Sequence, residues 1–258
     1  TYDKINKQIF LSYQRGVRLR WYESSSKNMI SILIPTRKRA KKLKTMYESL
    51  HHMTSTPDNV EVLLYIDDDD IQSIKFIENN ADKFTVPVKH IVGPRVSLGQ
   101  ACNELYNICT GDLIMGGADD IVFKTEDWDV ILENKLKDIK DKICLFSLND
   151  LYQDPSKLAT HPVISREALD ILGHFLPPEI DCNYGDEWLT YIFKQINRYY
   201  PMPDIVVEHM HWLVGKGDRD NTYAEGSANM NRHSYGAFSK NKDKRDLLAE
   251  KLRKVLNE

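Results

Sequence analysis

Between Met29 and Gly116 the chain repeats one pattern four times: a short apolar run, halted by polar or turn-forming residues, then a segment with helical spacing or a glycine turn. The apolar runs are Met29–Ile34, Val60–Ile66, Val86–Val92 and Leu113–Met115. Their β-branched content and length predict buried strands. Between them, Arg37–Met53 carries Leu43, Met46, Leu50 and Met53 on one helical face. Ile71–Asn80 reads as a short helix, and Leu98–Cys109 places Ala101, Leu105 and Ile108 together. Strands alternating with helices predict an α/β fold, a mostly parallel sheet flanked by helices. Ligands of such sheets bind beyond the carboxyl ends of the strands. The polar clusters fall at those ends: Pro35-Thr36-Arg37, Asp67 to Asp70, and Ala118-Asp119-Asp120.

The second half is less regular. Ile143–Leu148 predicts a strand, Arg166–Leu172 a short helix, and Trp188 to Ile196 an amphipathic helix. Ile205–Val207 predicts a short strand leading into His209-Met210-His211. Val214–Tyr235 has no clear periodicity and reads as a lid or a disordered segment. A helix from about Asp243 to Leu256 closes the chain, and Thr1–Asn28 is polar and loop-like. The 258 residues predict one domain: a ligand-binding half over 29–128, a second half with a lid over 129–236, and a terminal helix over 237–258.

Composition excludes several classes. Hydrophobic residues at 41% and charged residues at 28% rule out global disorder. No apolar run approaches the roughly 20 residues that span a bilayer. A formal charge of −3 disfavours non-specific binding to nucleic acid. The four cysteines form no C-x-x-C pair, so a disulfide scaffold or zinc ribbon is a poor reading. Buried thiols in a reducing, cytoplasmic compartment are expected, and no signal peptide is read. P-loop, H-E-x-x-H and G-x-S-x-G motifs are absent from the sequence.

Five constellations remain. Four adjacent carboxylates, Asp67 to Asp70, repel one another unless cations or donors relieve them. A helix start explains the last two, and a nucleotide base or ribose held by Asp67 and Asp68 explains the first two. Asp119 and Asp120 follow a strand and two glycines, an arrangement suited either to a simple turn or to Mg2+ or Mn2+ with substrate phosphates. In Arg37 to Lys44, cations crowd the first turns of a helix, where the dipole opposes them unless a phosphate lies near. Arg37 and Arg39 are the site candidates there, and Lys41, Lys42 and Lys44 read as a solvated face. Asp186 and Glu187 open a helix, as caps or as a general base. His209 and His211, two apart on a strand, face the same side and are either packed or able to share one ion.

As an ordered set these residues resemble a family 2 glycosyltransferase of the GT-A fold. Ile32 to Arg37 is similar to that family's first strand and nucleotide loop, Leu63 to Asp68 to its second strand, and Leu98 to Asn103 to the segment packed below the donor. Gly111 to Asp120 is similar to the approach to its D-x-D motif, and Gly185-Asp186-Glu187-Trp188 to its acidic helix start. The resemblance implies an inverting transferase that uses a nucleoside-diphosphate sugar, most often a UDP-sugar, with Mn2+ or Mg2+. It implies that Pro35, Thr36, Arg37 and Asp67 hold the nucleoside, with Arg39, Asp68, Arg95, Gly99, Asn103 and Ala118 completing the donor site. Asp119, Asp120, His209 and His211 would serve the metal, and Lys216, Arg219 and Tyr223 a lid over the diphosphate. Glu187 by position, or Asp186 by residue type, would be the base. The expected acceptor is a glycan or a hydroxymethylated base in phage DNA. One departure matters: Gly117 stands where the first acid of D-x-D is expected. The competing functions are a nucleotidyltransferase and a catalytically silent sugar-nucleotide or glycan binding module.

Overall fold

The computed structural model describes residues 18–20, 30–181, 183–220, 224 and 228–257. Its centre is a parallel block. Strand β2 (Ile30–Thr36) pairs with β3 (Val60–Asp67) from Ile30↔Val60 to Thr36↔Ile66, and on its other side with β5 (Leu113–Gly116). β4 (Val88–Gly93) extends the block beyond β3. The crossovers are α1 (Ala40–Met53), α2 (Ile71–Asn80) and α3 (Leu98–Tyr106). Antiparallel and longer-range pairings then widen the sheet. β1 (Arg18–Arg20) adds to β4, and β8 (Pro162–Ser165) joins β5 to β7 (Leu145–Asn149). β9 (Tyr199–His209) runs parallel to β7 and carries β6 (Ile121–Phe123) on its far edge. The strand order is β1-β4-β3-β2-β5-β8-β7-β9-β6.

Every residue of β3 is buried, because helices cover both faces of the sheet. Successive side chains alternate between two cores. Leu33, Leu63 and Tyr65 pack with Leu105 of α3, Trp188 and Phe193 of α6 (Gly185–Gln195), and Leu252 of α8 (Lys242–Asn257). Ile32, Ile34 and Leu64 pack with Leu43 and Met46 of α1, and with Trp128 and Leu132 of α4 (Trp128–Asp138). Each such side chain stabilises the fold by about 1.5–3 kcal/mol relative to exposure. Among the described residues no helix is long and apolar enough to cross a membrane.

Several elements depart from the sequence reading. Pro35 does not stop its strand. β5 pairs only as far as Leu33, so Pro35 has a sheet neighbour on one side, a position that tolerates the missing N–H. The first helix begins at Ala40, not Arg37, so Arg37 lies in the preceding turn and Arg39 is the N-cap, at the positive end of the helix dipole. The strand before His209 is 11 residues long, recruited by β7 on one side and β6 on the other. A helix, α7 (Ala228–Lys240), occupies part of the segment read as aperiodic, and α5 (Arg166–Leu172) stands as expected.

Candidate donor and catalytic site

Three strand ends converge on one acidic cluster. Thr36, the last residue of β2, donates its hydroxyl to Asp119 Oδ2 at 2.8 Å. Asp119 and Asp120 follow β5, and both are buried. Gly117, two residues earlier, donates its N–H to Leu33 O at 2.9 Å and lies flat on β2. A Cβ there would stand 2.8 Å from Ile32 Cγ2 and 3.1 Å from Ile34 Cγ1. Space alone therefore demands glycine at the place of the expected first acid.

Arg39, just before α1, answers the charge. Its Nη1 lies 3.0 Å from Asp119 Oδ1 and 3.5 Å from Asp120 Oδ2. Its Nε and Nη2 grip the two oxygens of Asp220, each at 2.8 Å. Lys42 lies 2.9 Å from Asp220 and 3.7 Å from Asp120. The expectation that Lys42 belongs to a solvated face is thus corrected: its place on α1 turns it into the cluster. Burial, seconded by repulsion from Asp120, raises the Asp119 carboxyl to about 6 against the pull of Arg39 and Thr36.

Two histidines close the cluster. Pairing of Ile121 with His209, and a bond from Met210 N to Asp120 O at 2.8 Å, hold the end of β9 beside the acids. His209 Nε2 is 3.5 Å from Asp120 Oδ1, and its buried Nδ1 has no hydrogen-bond partner. His161 packs edge-on to His209 at 5.0 Å, and burial pushes its pKa down to about 4, so it is neutral. His211 lies 5.0 Å from His209, but the strand ends at His209, and His211 caps the short turn Trp212–Val214 instead of sharing the strand. Its Nδ1 accepts from Leu213 N, and its ring stacks on Tyr152.

The aspartate run divides by role. Arg37 donates to Asp67 at 2.8 Å and grips both oxygens of Asp69. Burial raises the Asp67 carboxyl, opposed by Arg37 and by the exposed Arg95. Asp68 is exposed, and Asp70 caps α2 by accepting from Ser73 N at 3.1 Å. Pro35 and Ala118 are half-buried along the same strand ends. Gly99 and Asn103 sit in a packing contact: a Cβ at Gly99 would stand 2.6 Å from Ile180 O. The Asn103 side chain bonds the backbone of Phe175 and Leu176 with both its oxygen and its nitrogen.

Asp186 and Glu187 open α6 after Tyr184, which holds a left-handed φ of 73°. Glu187 N donates to Asp186 Oδ1 at 3.1 Å. Burial first, and the adjoining Glu187 carboxyl second, push the Asp186 carboxyl well above the ordinary range. Glu187 Oε2 is buried and has no hydrogen-bond partner. In the loop after β9, Lys216 pairs with Glu208 at 2.8 Å, and Arg219 lies over the Trp212 ring at 5.0 Å. Tyr223 lies outside the described residues. Asp220 and His161 were not singled out from sequence. Only the aspartate's place in a polar loop and the histidine's place beside a proline-led apolar run pointed their way.

The donor set can take a hard divalent ion. Asp119 and Asp120 supply two buried carboxylates, with His209 Nε2 3.5 Å from Asp120 Oδ1. Among the described residues no three such groups converge into a ready-made cage. Mg2+ and Mn2+ sites commonly have few protein ligands, the rest being water and phosphate oxygens.

Comparison with known proteins gives a consistent picture. Residues 31–165 match the model of glycosyl transferase family 2. The fold is similar to mannosyltransferase PcManGT from Pyrobaculum calidifontis, solved with GDP-Man and Mn2+: TM-score 0.64, 12% identity, over 98% of this chain and 78% of that one. It is similar to glucosyl-3-phosphoglycerate synthase from Mycobacterium tuberculosis, solved with Mn2+, UDP and glucosyl-3-phosphoglycerate: TM-score 0.56, 12% identity, over 85% of each chain. It is also similar to S. aureus TarS 1–349 with UDP: TM-score 0.55, 14% identity, over 69% of this chain and 59% of that one. At such identities the likeness shows the fold. No curated protein sequence matches the chain.

Proposed function

The chain belongs to glycosyl transferase family 2, and from that premise we propose that it moves a sugar from a nucleoside-diphosphate sugar to an acceptor hydroxyl with inversion at the anomeric carbon. The observation that carries this reading is the meeting of Thr36, Arg39, Asp119, Asp120 and His209 at the carboxyl ends of β2, β5 and β9. That is where a parallel sheet receives a nucleotide.

Each residue takes a role that its chemistry allows. The Arg37–Asp67 pair, at the end of β2 and β3, presents a fixed carboxylate to a base or ribose. Arg39 and Lys42 offer fixed positive charge to the departing diphosphate, which reduces the cost of charge building there in the transition state. Asp119, Asp120 and His209 are the groups that would hold Mn2+ or Mg2+, the ion bound in PcManGT being Mn2+. Such an ion supplies Lewis-acid stabilisation of the leaving phosphate. Glu187 is the base. Its orphaned oxygen is ready to accept the proton of the attacking hydroxyl, whereas Asp186 Oδ1 already accepts from Glu187 N.

UDP is the favoured nucleotide, on the precedent of the two neighbours solved with it. A glycan is favoured over DNA as acceptor. Of the basic segment, Arg37, Arg39 and Lys42 are engaged at the strand-end cluster, which leaves Lys38, Lys41 and Lys44 as its exposed cations, few for a polyanion.

Melting the protein with a panel of nucleoside diphosphates, each with and without Mn2+, tests the reading. A ligand bound by the folded state alone raises the melting temperature. Stabilisation by UDP that needs Mn2+ and disappears in Asp119→Ala supports it. No response to any nucleotide overturns the donor-site assignment.

A further inference from the structure

We propose that the Asp220 carboxylate is an internal stand-in for the donor diphosphate: it occupies the seat between Arg39 and Lys42 that the diphosphate takes on binding. The inference rests on the donor-site reading above.

The geometry is that of a bound oxyanion. Two nitrogens of the Arg39 guanidinium meet the two Asp220 oxygens at 2.8 Å each, the forked arrangement that guanidinium also makes with phosphate. Lys42 Nζ adds a third contact at 2.9 Å. Arg39 and Lys42 are three residues apart across the start of α1, so both reach one anion from one side. Asp220 arrives from 181 residues away in sequence, on the loop after β9. Its side chain is 28% exposed against 9% for Arg39, so the anion lies at the solvent side of the cation.

Charge argues for exchange rather than addition. Arg39 and Lys42 face Asp119, Asp120 and Asp220, two cations against three carboxylates. In the metal-free site, a diphosphate brought in beside all three would add like charge in mostly buried surroundings. Replacing Asp220 by phosphate oxygens keeps both cations paired and removes one carboxylate. Asp220 thus keeps Arg39 and Lys42 paired and positioned until the donor arrives, and its release is a cost subtracted from donor affinity.

Titration calorimetry with UDP, GDP and inorganic pyrophosphate, each with and without MnCl2, tests this on the full chain and on Asp220→Asn, Asp220→Ser and Lys42→Met. Melting curves establish that each variant is folded. Both Asp220 variants are expected to bind the diphosphates about three- to tenfold more tightly, since the competing carboxylate is gone. Lys42→Met is expected to bind more weakly, with and without metal. Unchanged affinity in folded Asp220 variants, with the wild-type chain binding normally, overturns the stand-in and leaves the donor site intact. Weaker binding in those variants only when Mn2+ is present makes Asp220 a metal ligand and also overturns it. If no form binds any diphosphate, the donor-site reading falls and this inference with it.

Discussion

Thr36 Oγ1 and Asp119 Oδ2 meet at 2.8 Å across 83 residues of sequence, tying the end of β2 to the acid that follows β5. With Arg39 on the other oxygen, the Asp119 carboxylate is fixed in orientation before any ligand binds. Thr36→Val keeps the shape and removes the donor. It is expected to cost about 1–3 kcal/mol, the penalty of a buried acceptor left unsatisfied. Urea unfolding measures this, and an unchanged midpoint would show that the oxygen finds another donor.

Glu187 and Asp186 should separate in kinetics. Glu187→Gln removes the base and is expected to lower kcat by about 10²–10⁴-fold while leaving nucleotide affinity as it was. Asp186→Asn keeps the side-chain shape and leaves the Glu187 carboxylate in place, so its loss should be far smaller. Steady-state rates with a donor and acceptor pair decide. A larger loss in Asp186→Asn assigns the base to that residue instead.

Glu61 gives a pH prediction remote from the site. It is fully buried in β3, accepts from Ser31 Oγ at 2.6 Å and Thr110 N at 2.7 Å, and pairs with Lys89 at 2.7 Å. Burial raises its pKa, but Lys89, Ser31 and Thr110 together outweigh burial and leave it lowered. A carboxyl lowered by folding stabilises the protein above its unfolded pKa, about 4.3, and loses that stabilisation as pH falls through the folded value. Glu61→Gln is expected to cost about 3–5 kcal/mol at pH 7, because it leaves Lys89 without its buried partner. The gap between the two proteins should narrow below about pH 4.3 in urea unfolding. A gap constant with pH would mean that shape, not charge, carries the effect.

Arg245 joins α8 to α6. Its guanidinium sits 3.8 Å from the Phe238 ring and 5.0 Å from Trp188 and Tyr191, and it donates to Phe238 O. Arg245→Ala loses both the packed stem and the cation–π contacts and is expected to cost about 2–4 kcal/mol. Arg245→Met keeps the apolar stem and should lose about half as much. Calorimetric melting compares them. Equal losses would place the stabilisation in the charge.

What was legible before the structure was periodic. The parallel block, its three crossovers and the polar clusters at its strand ends follow from spacings of two and of three to four residues, which local chemistry enforces. Asp119, Asp67 and the Asp186–Glu187 pair stood out because they sit at the ends of such runs. Lys42 was misread, because its helix face is apolar or solvated only until Asp120 and Asp220 are known to lie against it. Asp220, Glu61 and Arg245 gain meaning from partners on other elements, and nothing in their neighbours along the chain announces the pairing. The strand around Ile205 grew to Tyr199–His209 for the same reason: two other strands claim its edges.

Gly117 has a consequence for the order in which this sequence can change. The missing acid is not one substitution away. A side chain at that position meets Ile32 Cγ2 at 2.8 Å, a residue wholly buried in β2. Gly117→Asp made first must push the Ile32 and Ile34 side chains aside. Trimming Ile32 first leaves a cavity that a later Gly117→Asp can enter, at the cost of a passage through a less stable protein. A second acid is therefore reached only through the hydrophobic core, and any lineage or designer seeking it must change the floor of the site before its ligands.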